Sequence, residues 1–203
     1  MVYDIKKAIE HRISELAEGD VFVPADFFDI TTPVNVNNIL SRLCKAGTIR
    51  RCFRGVYAKP YFSSVLDREL MPKPDDVIAA IARRHRWTIA PSGDTALNRI
   101  GLSTQIPAVL EFVSSGPDKT YSYGGFMIKL RHRANKDMIG NSPITRVFIQ
   151  AMKALGNGRV LDETMVALAE KLSREQIETI VEETVHSAAW IAKVARQIEE
   201  AIK

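Results

Sequence analysis

Residues 31–58 read TTPVNVNNILSRLCKAGTIRRCFRGVYA. Thr31 and Thr32 precede Pro33, which places an N-cap before a proline at the first helical position, where its missing N–H costs nothing. Val36, Ile39, Leu40 and Leu43 then recur at helical spacing as one apolar stripe, and Gly47 supplies the stop. Ile49 to Arg51 and Val56 to Ala58 flank Phe53-Arg54-Gly55, so two short strands are expected around a turn in which Gly55 takes the positive φ. With the stripe turned inward, the opposite helix face carries Asn35, Asn38, Arg42 and Lys45, with Asn37 and Ser41 alongside.

Upstream, Ile5, Ala8, Ile9, Ile13 and Leu16 follow Asp4, a plausible cap, and predict a first helix over about residues 5–17, ended by Gly19. Val21 to Val23 suits a short strand, and Pro24 with Ala25, Phe27 and Phe28 suits a second helix of one or two turns. The order helix, short helix, helix, hairpin is that of a winged helix-turn-helix, whose third helix enters the major groove while the wing touches the flanking backbone. Asparagine can pair bidentately with adenine and arginine with guanine. The expected DNA contacts are therefore Thr32, Asn35, Asn37, Asn38, Ser41, Arg42 and Lys45 on the helix, with Arg50, Arg51 and Arg54 of the wing on phosphates. The alternative reading is an exposed polar helix face beside a solvated hairpin, as in winged-helix domains that bind protein.

Charge follows the same elements. The formal net charge is only +4 over 203 residues, and residues 1–71 hold ten Lys and Arg against nine Asp and Glu. From Ile30 to Leu66, however, no acid occurs, while Arg42, Lys45, Arg50, Arg51, Arg54 and Lys59 add six positive charges. A second acid-free stretch runs from Lys119 to Lys136. A polyanion would draw on these two stretches.

The segment VNVNNILSRLCKAGTIRRCFRGVYA, with its Leu-x-x-x-Gly-x-Ile, Arg-Arg and Arg-Gly-Val-Tyr pattern, resembles the N-terminal winged helix of AbiEi-type antitoxins of type IV toxin-antitoxin and abortive-infection systems. PSGDTALNRIGLSTQIPAVLEFVSSGP, followed by a Gly-Gly hairpin, resembles the second domain of AbiEi-like proteins. The resemblance implies a bacterial, cytoplasmic autorepressor. Such a protein binds inverted repeats in its own promoter, and its second domain opposes a nucleotidyltransferase-like toxin without requiring a stable complex.

The expected organisation is α+β: a winged helix over 1–60, a linker over 61–74 that follows Pro60, ends on Pro72 and Pro74 and has room for one helical turn or strand, and a mixed domain over 75–203 with a small antiparallel sheet and a C-terminal helical bundle. In that domain Asp75 and Asp76 open a helix through His85, Trp87 to Ala90 is strand-like, Asp94 caps a short helix through Ile100, and Pro107 to Val113 is strand-like. Gly124-Gly125 marks a hairpin whose Phe126, Ile128 and Leu130 face inward. Met127, Lys129 and Arg131 alternate with them, so Lys129, Arg131 and Arg133 form a possible basic face. Helices are expected after Ser142-Pro143, from Asp162 through Leu172, and from the Ser173/Gln176 capping box almost to the end, with a break near Glu182 to Ser187.

Chemistry is not expected. Ser92-Gly93-Asp94-Thr95-Ala96 resembles the glycine turn of nucleotidyltransferases, but the strands that follow offer Glu111 alone where two or three carboxylates hold Mg²⁺. His11, His85, His132 and His186 fall in different elements, without HExxH, a GxSxG elbow or a Walker loop. Cys44 and Cys52 form neither a disulfide framework nor a zinc motif. No cofactor or metal is implied, and no apolar run approaches the roughly 18 residues that span a bilayer.

Overall fold

Helix α1 (Ile5–Glu15) starts where the Asp4 carboxylate accepts the Lys7 backbone N–H, and it buries Ile9 and Ile13. These coordinates are a computed structural model that describes residues 4–133 and 142–201. Strand β1 (Val21–Phe22) leads into a 3-10 turn, Pro24–Phe27, which stands where the short second helix is expected. Helix α2 (Pro33–Lys45) follows, with Thr32 Oγ1 accepting the Asn35 backbone N–H at 3.4 Å. Its stop is the one anticipated: Gly47 has φ +75°, and the Thr48 N–H reaches back to the Leu43 carbonyl.

Strands β2 (Arg50–Phe53) and β3 (Val56–Ala58) form the wing, and β1 pairs antiparallel with β3 to give the sheet order β1-β3-β2. Val36, Ile39, Leu40 and Leu43 pack with Ile9, Ile13, Phe22, Phe27, Ile49 and Tyr57 in one core. Burying such a side chain stabilises by about 1.5–3 kcal/mol, so this stripe fixes the rotation of α2 and therefore which residues it shows to solvent.

The boundary expected at 61–74 is corrected. That segment holds a two-stranded hairpin, β4 (Tyr61–Ser63) and β5 (Arg68–Leu70), and helix α3 (Pro74–His85) follows it. Ala80 of α3 packs on Val23 and Val56, Arg83 pairs with Asp26 at 3.1 Å, and the same guanidinium donates to the Val21 carbonyl. α3 thus belongs with the winged helix. The chain divides into one unit running to Trp87 and including Ser122–Gly125, and another of Thr88–Tyr121 with the residues from Phe126 onward. The prolines that suggested a linker serve other ends: Pro74 opens α3, and the Pro72 carbonyl accepts the buried Tyr123 hydroxyl at 2.8 Å.

In the second unit the sheet order is β6-β7-β9-β8, built from β6 (Ile89–Pro91), β7 (Val109–Ser114), β8 (Lys119–Tyr123) and β9 (Phe126–His132). Gly124 and Gly125 both have positive φ, as a tight two-residue hairpin turn requires. The expected antiparallel sheet is mixed, because β7 pairs parallel with β9 while β6 pairs antiparallel with β7. Helix α4 (Gly93–Arg99) lies between β6 and β7 in sequence. Its N-cap is Ser92, and Asp94 lies in its first turn rather than capping it.

Helices α5 (Pro143–Leu155), α6 (Asp162–Lys171), α7 (Arg174–Glu183) and α8 (Ala189–Ala201) complete this unit. They share a core that includes Ala96, Phe148, Ile149, Met152, Leu168, Ile177, Ile180, Ile191 and Ile198. Ser142 caps α5, and the Ser173/Gln176 capping box opens α7, as their sequences indicate. The long C-terminal helix is broken where expected, by a 3-10 turn at Thr184–His186. The break changes the buried face, so Val185 is exposed, while Ile191 and Val194 enter the core in place of Ala188 and Ala189.

Candidate nucleic-acid interface

With the stripe buried, α2 presents Val34, Asn37, Asn38, Ser41, Arg42 and Lys45 to solvent, and Asn35 is half-buried. The middle of this face is Val34, Asn38, Ser41 and Lys45, roughly 100° per residue placing them opposite the buried stripe. Its two flanks differ. Asn35 and Arg42 border a hollow shared with Asp4, Lys6 and Lys7 at the N-terminal end of α1, whereas Asn37 and Ser41 border a groove shared with the wing. Two asparagine amides are held within the helix: Asn35 Nδ2 donates to Thr31 Oγ1 at 3.3 Å, and Asn37 Nδ2 to the Pro33 carbonyl at 2.7 Å. Asn38 makes no side-chain hydrogen bond among the described residues.

The six cations of the acid-free interval have separate fates. Lys59 is spent on structure: its ammonium donates to the Ser14 and Leu16 carbonyls at 2.7 and 2.6 Å, closing the C-terminus of α1. Arg50, expected on a phosphate, is bound through Nε and Nη2 to the Glu69 carboxylate on β5. The interval is acid-free in sequence, but the hairpin returns a carboxylate to it in space. Arg42, Lys45, Arg51 and Arg54 remain exposed with no carboxylate partner among the described residues. Arg51 lies over the Tyr57 ring at 6.0 Å, a placement that orients the guanidinium and leaves its charge intact.

The groove between α2 and the wing has a volume of about 580 Å³, and its floor includes Phe28 and Tyr57. Asn37 and Ser41 line one side, with Arg51, Arg54 and Arg84 among the other lining residues, and no carboxylate faces it. Arg84 comes from the last turn of α3, and its Nη1 donates to the Arg54 carbonyl. Gly55 at the wing turn has φ +82°, and a Cβ there would run into this guanidinium. Two requirements therefore fall on one glycine. Sequence reasoning misses Arg84 because the expected boundary puts the helix through His85 in the second domain, although its position in a last helical turn is readable. Val34 was passed over because it lies in the apolar class, yet it is 72% exposed.

In the second basic stretch Arg131 pairs with Asp118 at 3.3 Å, Lys129 is half-buried and stands at the register position of Glu111 on β7, and Arg133 Nη1 donates to the His132 carbonyl. Ile128 and Leu130 are buried as expected, but Phe126 at the strand start is exposed. Lys136, the end of that stretch, lies outside the described residues. Glu111 has a structural setting: its Oε2 lies 3.1 Å from where a Cβ on Gly93 would stand, beside the first turn of α4, where negative charge is favoured. Among the described residues no group of three His, Cys, Asp or Glu could hold a metal ion, and no helix is long and apolar enough to cross a membrane. Cys44 and Cys52 are unpaired thiols, and burial pushes the Cys52 thiol up to about 11.

No curated protein matches the chain. The model of a family of unknown function, DUF6088, matches residues 8–180, which is most of the sequence, and the chain belongs to that family.

Proposed function

We propose that the protein binds duplex DNA through α2 and the wing and represses its own promoter. The observation that carries this reading is that Arg42, Lys45, Arg51 and Arg54 stay exposed, with no carboxylate ion pair among the described residues, on the two elements that a winged helix lays against DNA. Asn38, Ser41 and Arg42 are the base-reading candidates. Val34 adds an apolar contact suited to a thymine methyl group. Arg51, Arg54 and Lys45 serve the phosphates, and Arg50 is engaged by Glu69. The test is fluorescence anisotropy with duplex DNA from upstream of the protein's own gene. Saturable binding is expected there, weakening as salt rises and exceeding that of scrambled duplex. Salt-independent binding, or binding unchanged when Arg42, Arg51 and Arg54 become alanine, overturns the reading.

The antitoxin role is the second part of the proposal, and it rests on the resemblance of residues 34–58 and 91–117 to AbiEi-type proteins. The opposed partner is a nucleotidyltransferase-like toxin, and the second unit is the neutralising element. Truncation near residue 72 is a poor test, because it strips α3 from Val23 and Val56. The full-length R42A/R51A/R54A variant is cleaner. It is expected to lose repression of a promoter fusion while still protecting cells that express an adjacent nucleotidyltransferase-like gene. Protection lost together with repression assigns neutralisation to repression alone.

A further inference from the structure

We infer that the groove between α2 and the wing is a phosphate seat whose third cation, Arg84, comes from outside the winged helix-turn-helix motif. This rests on the DNA-binding reading and names a residue, and a role for α3, that the motif itself does not contain. Three guanidiniums, those of Arg51, Arg54 and Arg84, reach one groove with the Ser41 hydroxyl and the Asn37 amide, and no carboxylate shares it. An arginine cluster with neutral donors and no acid is matched to a phosphodiester: it supplies several N–H donors in fork geometry and leaves net positive charge. The neighbouring cation on α3 provides the contrast. Arg83, one residue earlier, is neutralised by Asp26 at 3.1 Å, whereas Arg84 donates to a neutral carbonyl, that of Arg54, and keeps its charge available.

The same hydrogen bond makes Arg84 a positioning residue for the wing. It ties the carbonyl at the wing turn to the last turn of α3, and the missing side chain of Gly55 is what lets the guanidinium approach. The wing tip is thus tied to the last turn of α3 instead of swinging freely about its hairpin. A wing so held contributes its arginines at a smaller ordering cost on binding.

The experiment uses the full-length protein and a 30-base-pair random-sequence duplex, with affinity measured across a salt series. Arg84→Gln is expected to lower the magnitude of the log-affinity against log-salt slope by about one and to weaken binding roughly fivefold at physiological salt. Arg84→Lys keeps the charge but not the fork, so it is expected to retain the slope while losing part of the affinity. A glutamine variant that folds, by circular dichroism melting, yet shows the parental slope overturns the inference and leaves the DNA reading intact. If the glutamine variant does not fold, the lysine variant decides: a slope reduced as though the charge were gone overturns it. If the unaltered protein shows no salt-dependent binding to any duplex, the DNA reading fails first and the phosphate seat fails with it.

Discussion

The chain carries two acid-free basic stretches, one in each unit, and folding sets them in different surroundings. Around α2 and the wing, two of six cations are engaged, Arg50 by Glu69 and Lys59 by carbonyls at the end of α1. The other four stay exposed. On β9 and its flanks, Arg131 pairs with Asp118, Lys129 stands at the register position of Glu111, and Lys119 lies 5.8 Å from the Tyr121 ring. Each stretch thus has an arginine paired with a carboxylate, Arg50 with Glu69 and Arg131 with Asp118, so a charge run in sequence overstates the charge left free in space. What differs is topology. β2 of the wing is an edge strand of its sheet, while β9 lies between β7 and β8 inside a sheet.

The largest expected effect breaks the comparison outright. Replacing Lys45, Arg51 and Arg54 with alanine removes about three phosphate contacts, which corresponds to a slope smaller by about three and an affinity loss on the order of a hundredfold at physiological salt. The matching triple alanine variant at Lys129, Arg131 and Arg133 is expected to bind duplex DNA within about twofold of the parent. Equal losses from the two triples, read by the same anisotropy titration, mean that the surfaces share the ligand and that the contrast drawn from their ion pairs is wrong.

A smaller effect runs in the opposite direction. Glu69→Gln keeps the shape of the β5 side chain and removes the charge that holds Arg50, so Arg50 joins the interface. Affinity is expected to rise about fivefold and the salt slope to steepen by about one. A gain of this sign separates a cation held back by its neighbour from one that faces away from DNA. An unchanged slope means that Arg50 does not reach the backbone even when released.

Most of the winged helix was legible in the sequence, because its signals are local. The Thr32-Pro33 start, the Val36/Ile39/Leu40/Leu43 stripe, the Gly47 stop and the Gly55 turn each follow from a few adjacent residues, and the fold obeys all of them. What escaped is what depends on pairs far apart in the chain. Glu69 reaching Arg50 and Arg84 reaching Arg54 span 19 and 30 residues. The parallel pairing of β7 with β9 has no local signature either, and it turned an expected antiparallel sheet into a mixed one. The linker was misread because proline marks the start of α3 as readily as it marks a flexible join. The candidate site was thus legible as a list of cations on a helix and a hairpin. Which of them remain free was not.

The smallest expected effect applies the Glu69 operation to the other unit. Asp118 accepts the His132 backbone N–H at 2.6 Å and has the Arg131 guanidinium beside it, and together they hold its carboxyl below the ordinary 3.8. A carboxylate whose folded value is depressed lends stability that is complete above its ordinary value and is lost as pH falls through the folded one. Asp118→Asn removes that contribution. The difference in melting midpoint between parent and variant should therefore be greatest near neutral pH and shrink as the solution is acidified below about pH 4. The same substitution frees Arg131 as Glu69→Gln frees Arg50, yet duplex affinity should stay within about twofold, because β9 offers no recognition helix beside the liberated charge. A fivefold gain in DNA affinity from Asp118→Asn would mean that any released arginine on this chain suffices, and the distinction between the two surfaces would then lie in their acids rather than in the winged helix.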